Sequence, residues 1–170
     1  MGSSATPLTV TIITLNEEDN LARAIRSVSW ADEILVIDSG STDKTLEIAK
    51  SLGARILHNS WTGYGQQKNF AQAQAQNDWV LNLDADEEVS PGLADEIQKT
   101  LARTSQEANP TRGFYFPRKT FYLGKWIKHG GWYPNHLNRL ANRRYSKWSE
   151  PHIHEKLIVE GKVEGLRNPL

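Results

Sequence analysis

The sequence predicts an α/β protein with a mostly parallel central sheet and flanking helices. Three observations lead there. Over residues 8–110, short apolar runs rich in β-branched residues alternate with longer stretches that keep helical spacing. Clusters of Gly, Ser, Asn and Asp punctuate the joints. The strand–helix order repeats, and that order implies parallel strands joined by right-handed crossovers.

"LTVTIITL" (8–15) is predicted to be a buried strand. "NEEDN" (16–20) suits a helix start, and Leu21, Ala24, Ile25 and Val28 keep helical spacing. "EILVID" (33–38) is the second strand, followed by the turn and N-cap cluster "SGSTD" (39–43). A helix from about Lys44 stops at Gly53, a residue suited to the position after a helix end. "ARILH" (54–58) is the third strand, and "GYGQQKNFAQAQAQ" (63–76) passes from a glycine loop into a helix. "WVLNL" (79–83) is the fourth strand, and Pro91 opens another helix. After Arg112, "GFYFP" is predicted to be a strand, "KTFYLGKWI" a strand pair turning near Gly124, and "HGGWYPNH" (129–136) a loop. "LNRLANRRY" and "EKLIVEG" supply one further strand each. "LRNPL" brings no terminating element, which predicts a piece of a longer chain.

A chain of 170 residues suits one domain. "MGSSATP" (1–7) has neither the basic nor the apolar part of a signal peptide and is expected to be a flexible start. No stretch approaches the roughly 18 apolar residues that span a bilayer. Cysteine is absent, which excludes disulfides and thiolate metal sites and fits a reducing compartment. Net charge is zero, and no nucleic-acid partner is expected. The charge is unevenly spread. Residues 1–110 carry sixteen acids against eight Lys or Arg, whereas residues 111–149 carry nine Lys or Arg, no acid, and ten of the fifteen aromatic residues. This shift divides one domain into an acidic ligand-binding half, 8–110, and a basic, aromatic half, 111–170, expected to face a ring-bearing, anionic partner.

The stretch "WVLNLDADEEVS" sets Asp84, Asp86, Glu87 and Glu88 at the end of a buried strand, where like charges repel. Two other strands also end in amide or acid groups, at Asn16 with Glu17 and at Asp38. In an open parallel sheet, ligands bind beyond the carboxyl ends of the strands. Asp84 and Asp86 are two apart, so an extended segment would point both the same way and let them share a hard cation. Mg²⁺ takes one or two carboxylates and completes its shell with phosphate and water. A solvated acidic turn ahead of the helix at Pro91 is the simpler alternative, above all for Glu87 and Glu88.

"TIITLNEEDNLARAIRSV", "ILVIDSGSTDKT", "GYGQQKNFA" and "DWVLNLDADEEV" resemble, in order, the motifs of family 2 glycosyltransferases, inverting enzymes of the GT-A fold. "GGWYPNHLNRLANRR" and "HIHE" resemble the branch with the lipopolysaccharide core β-1,4-glucosyltransferases, although Ala141 and Asn142 stand where that branch usually has an aromatic and a basic residue. The resemblance implies a Rossmann-like GT-A fold that binds a nucleotide-sugar, commonly a UDP-sugar, with Mg²⁺ or Mn²⁺. It places Asn16, Glu17, Asp38, Lys68, Asp84, Ala85 and Asp86 at the nucleotide-sugar: Glu17 and Asp38 near uracil or ribose, Lys68 near the base or diphosphate, Asp84 near ribose and metal, and Asp86 on the metal.

An inverting transfer needs a base for the acceptor hydroxyl. Glu155 of "HIHE" is the candidate, and His154, with His152 two residues before it, is a candidate metal or diphosphate ligand. Trp126, Trp132 and Tyr133 offer flat faces to sugar rings, and Arg139, Arg143 and Arg144 offer forks to phosphates or acidic sugars. The expected acceptor is a glycan or a glycolipid such as a lipopolysaccharide core, with the protein cytoplasmic and in peripheral contact with the anionic inner face of the membrane. Two other readings compete: a non-catalytic nucleotide-sugar-binding domain, and a sugar nucleotidyltransferase. The second usually has a glycine-rich basic loop where this chain has the acidic "NEEDN".

Overall fold

The structure, a computed structural model, describes residues 6–118, 121–122, 125–126, 135–150 and 155–170. The first half alternates strictly: β1 (Leu8–Thr14), α1 (Leu21–Ser27), β2 (Glu33–Asp38), α2 (Thr45–Ser51), β3 (Arg55–His58), α3 (Tyr64–Gln74), β4 (Trp79–Asp84) and α4 (Pro91–Thr104). The second half is β-rich: β5 (Gly113–Arg118), β6 (Phe121–Tyr122), β7 (Lys125–Trp126), β8 (Asn135–Asn142), β9 (Ser146–Trp148), β10 (Leu157–Val159) and β11 (Val163–Gly165). β9 and β11 are too short to stand out in sequence, and β9 follows β8 after a single 3-10 turn at Arg143–Tyr145.

Seven strands form one sheet in the order β11-β5-β8-β4-β1-β2-β3. β1 pairs in parallel with β2 and β4, β2 with β3, and β5 with β11, while β8 runs antiparallel to β4 and β5. The two halves of the chain therefore share one sheet, and β8 is the seam between them. β9 and β10 form a small antiparallel pair outside it.

Both faces of the central strands are covered, which explains their unbroken apolar character. Val10 and Ile12 of β1, Leu81 and Leu83 of β4 and Phe114 and Phe116 of β5 pack with Leu21 and Ile25 of α1 and with Leu93 and Ile97 of α4. Leu35 and Ile37 of β2 meet Ala71 of α3 on the opposite face. Two hydrogen bonds join polar residues buried beneath α3, with Thr11 donating to Asn82 Oδ1 at 2.9 Å and Thr9 to Glu33 Oε2 at 2.6 Å. Ser90 caps α4 by accepting from the Leu93 N–H, with Pro91 at the first helical position. "LRNPL" is tied down: Glu96 accepts from the backbone N–H groups of Arg167 and Asn168, and the Leu170 N–H donates to the Pro117 carbonyl at 2.9 Å.

α3 is the element that carries the second half onto the first. Asn69 accepts from the Trp148 N–H at 2.9 Å and donates to the Trp148 carbonyl at 3.0 Å, and Gln72 donates to the Ser146 carbonyl at 2.8 Å. The helix comes so close to β9 that a Cβ at Gly65 would collide with the Ser149 carbonyl. Gly65→Ala is expected to destabilise the protein by about 1–3 kcal/mol through that overlap. A urea midpoint equal to wild type would show that the approach is not tight.

Candidate active site

The carboxyl ends of four strands finish level. Thr14 pairs with Asp38, Ile13 with Asp84, and Asp38 with His58, so the loops after β1, β2, β3 and β4 open on one crevice. Asn16 takes a left-handed conformation (φ 54°), which asparagine tolerates. Its N–H donates to Ser41 Oγ at 2.9 Å and its Oδ1 accepts from the Thr42 N–H at 2.8 Å, which binds the loop after β1 to the loop after β2. The Glu17 N–H donates to Thr45 Oγ1 at 2.8 Å, and the Glu17 carboxylate accepts from Asn20 Nδ2 at 3.0 Å. Asp38 is buried, and it accepts from the N–H groups of Gly40 and Ser41 and from the Ser41 hydroxyl. It holds the loop as a cap, so a bound nucleoside would have to share a carboxylate already in use.

At the end of β4 lies a cluster of opposed charges. Lys68, on α3, is 4% exposed; its Nζ is 3.2 Å from Asp84 Oδ1 and 2.8 Å from Glu155 Oε1, and it lies 4.6 Å from the centre of the Trp148 ring. Arg139, on β8, is 5% exposed and places Nη2 2.8 Å from Asp84 Oδ2 and 3.5 Å from Glu87 Oε1. Arg118, at the end of β5, stands 3.5 Å from the same Glu87 oxygen. The repulsion in "DADEE" is thus relieved by cations from three separate elements. Arg139 and Lys68 hold Asp84 well below the usual carboxylate range, against the opposing effect of burial. Burial pushes Glu87 upward, with Asp84 adding to the shift and Arg139 opposing it. Asp84 and Glu87 together keep Arg139 charged despite its burial.

The acidic turn differs from the expected extended pair. β4 ends at Asp84, and the Glu87 N–H donates to the Asp84 carbonyl at 3.0 Å, while Glu87 Oε2 accepts from the Asp84 N–H at 3.0 Å. The doubly closed turn buries Ala85 and exposes Asp86. Asp84 is drawn inward to two cations; Asp86 is the carboxylate left open to a cation. Among the described residues no group of three His, Asp or Glu side chains forms a ready-made cage. One exposed carboxylate fits a divalent ion that arrives with phosphate oxygens better than a resident ion.

Glu155 lies beside this cluster and shares the Lys68 ammonium with Asp84. It lines a cavity of about 650 Å³ with Tyr115, His136, Arg139 and Trp148. Trp132, Tyr133, His152 and His154 lie outside the described residues, and so does the side chain of Trp126. Two expectations are corrected. Arg139 is not an outward fork, because its guanidinium is buried against Asp84 and Glu87. Arg143 and Arg144 pair with Asp78, which precedes β4, at the end of the sheet opposite the crevice. Sequence reasoning left out Arg118 and offered a solvated helix-start acid as the simpler alternative for Glu87. Nothing in local sequence announces that Glu87 turns back on its own turn.

The profile of glycosyl transferase family 2 matches residues 9–158. The chain is 53% identical over 97 residues to the uncharacterized glycosyltransferase RT0209 of Rickettsia typhi, covering 56% of this chain and 33% of that protein. It is 30% identical over 172 residues to the lipopolysaccharide core biosynthesis glycosyltransferase LpsC of Rhizobium meliloti, covering 95% of this chain and 60% of LpsC. The chain thus spans between a third and three fifths of these relatives. Similar solved folds include S. aureus TarS 1-349 in complex with UDP-GlcNAc, with a TM-score of 0.54, 20% identity, and 72% and 37% of the two chains covered. Glucosyl-3-phosphoglycerate synthase from Mycobacterium tuberculosis with Mn²⁺, UDP and glucosyl-3-phosphoglycerate gives a TM-score of 0.52, 23% identity, and coverage of 65% and 43%. Both share the fold, and with the profile match over most of its length the chain belongs to glycosyl transferase family 2, with the GT-A fold.

Proposed function

We propose that this chain is the donor-binding and catalytic part of an inverting glycosyltransferase that moves a sugar from a UDP-sugar to a glycan or glycolipid. One observation carries the reading: Asp38, the turn with Asp84 and Asp86, and Lys68 against Asp84, from three separate motifs, lie at the carboxyl ends of parallel strands. Residues 8–110 form the donor side, with Asn16, Glu17, Asp38 and Ala85 bordering the nucleotide. Residues 111–170 form the acceptor side, where Trp132 and Tyr133 stack on sugar rings. The UDP identity of the donor is supported by the UDP-GlcNAc and UDP complexes of the two fold neighbours.

Asp86 would hold Mg²⁺ or Mn²⁺, with His154 as a further ligand. When bound, the ion neutralises negative charge on the departing diphosphate. Asp84, fixed between Lys68 and Arg139, orients the turn that carries Asp86 and faces the ribose. Glu155 is the base. The acceptor oxygen bonds to the anomeric carbon as the bond from that carbon to the diphosphate oxygen breaks. The acceptor proton passes to a Glu155 carboxylate oxygen, and the electron pair of the broken bond leaves with UDP. Lys68 donates to Glu155 Oε1, which fixes the carboxylate and leaves Oε2 for the proton.

A lipopolysaccharide core as acceptor is supported by the likeness to LpsC. No helix among the described residues is long and apolar enough to cross a membrane. We place the chain in the cytoplasm, in peripheral contact with the inner membrane face. Thermal melting with a panel of UDP-sugars, with and without Mn²⁺, tests the donor assignment. One UDP-sugar with Mn²⁺ should raise the midpoint in a concentration-dependent way, and adding acceptor should release UDP. Stabilisation without turnover, even with acceptor and the full-length protein, would favour a non-catalytic binding domain.

A further inference from the structure

We infer that Tyr64, braced by Trp61, is the stacking platform for the nucleobase of the donor, an inference that rests on the nucleotide-sugar reading above. Contiguous exposed apolar surface marks ligand-binding or interaction sites. Here Trp61 is 47% and Tyr64 56% exposed, and they meet edge to face with ring centroids 4.7 Å apart. The contact orders both rings without burying them.

Their place in the fold says what they face. Tyr64 opens α3, whose start lies at the carboxyl ends of the strands. Gln67 and Lys68, three and four residues on, share its side of the helix. Gln67 donates to Ser39 Oγ at 3.0 Å just beyond β2, and Lys68 reaches Asp84 at the end of β4. Ala71, on the same stripe, is buried against β2. Tyr64 therefore continues the buried stripe of α3 past the edge of the sheet, over the crevice between the ends of β2 and β4. The loop before it is pinned there too: the Asn59 N–H donates to the Asp38 carbonyl at 2.9 Å, and Asn59 Nδ2 to Gln67 Oε1 at 2.6 Å. The loop after β1 brings no aromatic ring to this crevice; its apolar residue is the exposed Leu15. A planar base entering beside Asp38 finds its aromatic face on Tyr64.

Calorimetric titration with UDP and Mn²⁺ tests this with three variants. Tyr64→Ala should weaken UDP binding about tenfold, the usual effect of losing a base–aromatic stack, at an unchanged melting midpoint. Tyr64→Phe should bind as wild type does. UDP should quench tryptophan emission in wild type, and less in Trp61→Phe. The inference is overturned if Tyr64→Ala binds UDP as tightly as wild type, or if Tyr64→Phe loses as much as Tyr64→Ala. Those results leave the donor reading standing. Failure of wild type to bind UDP at all would overturn the donor reading and this inference with it.

Discussion

Arg139→Met is expected to destabilise the protein by about 3 kcal/mol at neutral pH. Breaking a buried ion pair by removing one partner costs roughly 3–5 kcal/mol. The lower end applies because the Asp84 side chain is 31% exposed, and water screens part of its interaction with Arg139. The variant leaves Glu87 buried with Arg118 as its remaining cation at 3.5 Å. The pH dependence gives the cause away. Asp84 has its folded-state value lowered from 3.8, so its contribution is present above that value and is lost as pH falls below it. Glu87 has its value raised from 4.5, so it opposes folding when ionised and stops doing so as pH falls through the folded-state value. Both effects grow less favourable to the mutant at neutral pH than in acid. The gap between wild type and Arg139→Met should therefore be widest near pH 7 and narrow below about pH 4. Urea denaturation across that range measures it. A gap of constant size would mean that Arg139 acts by packing alone.

Glu155→Gln is expected to lower sugar transfer by about 10²–10⁴-fold, the usual contribution of a general base. The amide can present its oxygen to Lys68 Nζ in place of the carboxylate, so Lys68 keeps an acceptor there and retains Asp84 at 3.2 Å. Affinity for the nucleotide-sugar should stay near wild type, because the base faces the acceptor. The assay belongs in the full-length protein with an acceptor present. A rise in the Michaelis constant for acceptor at unchanged turnover would make Glu155 a positioning residue. Wild-type transfer would remove it from the mechanism, and Glu87, Glu88 and Glu150 would be the next residues to replace. Of these, Glu87 is the one already held in the cluster, with burial raising it toward the protonated form.

The α/β half was legible because its signals are local. "EILVID" is a strand over Glu33–Asp38, as its apolar run indicates, and Ser90 with Pro91 starts α4 where capping chemistry places it. The strand ends that carry Asn16, Asp38 and Asp84 converge because parallel topology leaves them no other place. What sequence hid was which charges meet. Arg139 is 55 residues from Asp84, and their contact depends on β8 running antiparallel beside β4. The same antiparallel course carries Arg143 and Arg144 away from the crevice to Asp78. A basic segment read as one face is thus split between two ends of a strand. Asp84 and Asp86 look equivalent in "DADEE", yet a turn closed by Glu87 sends one inward and the other outward.

That division of labour is the centre of the account, and Asp86→Asn tests it most directly. Calorimetric titration of UDP into wild type and variant, each with and without Mn²⁺, separates the nucleoside contacts from the metal. Wild type should bind UDP more tightly with Mn²⁺ than without. Asp86→Asn should lose that metal-dependent gain, keep the metal-free affinity, and melt at the wild-type temperature, because the side chain is exposed. A variant that keeps the full Mn²⁺-dependent gain would contradict the assignment of Asp86 as the carboxylate that holds the metal.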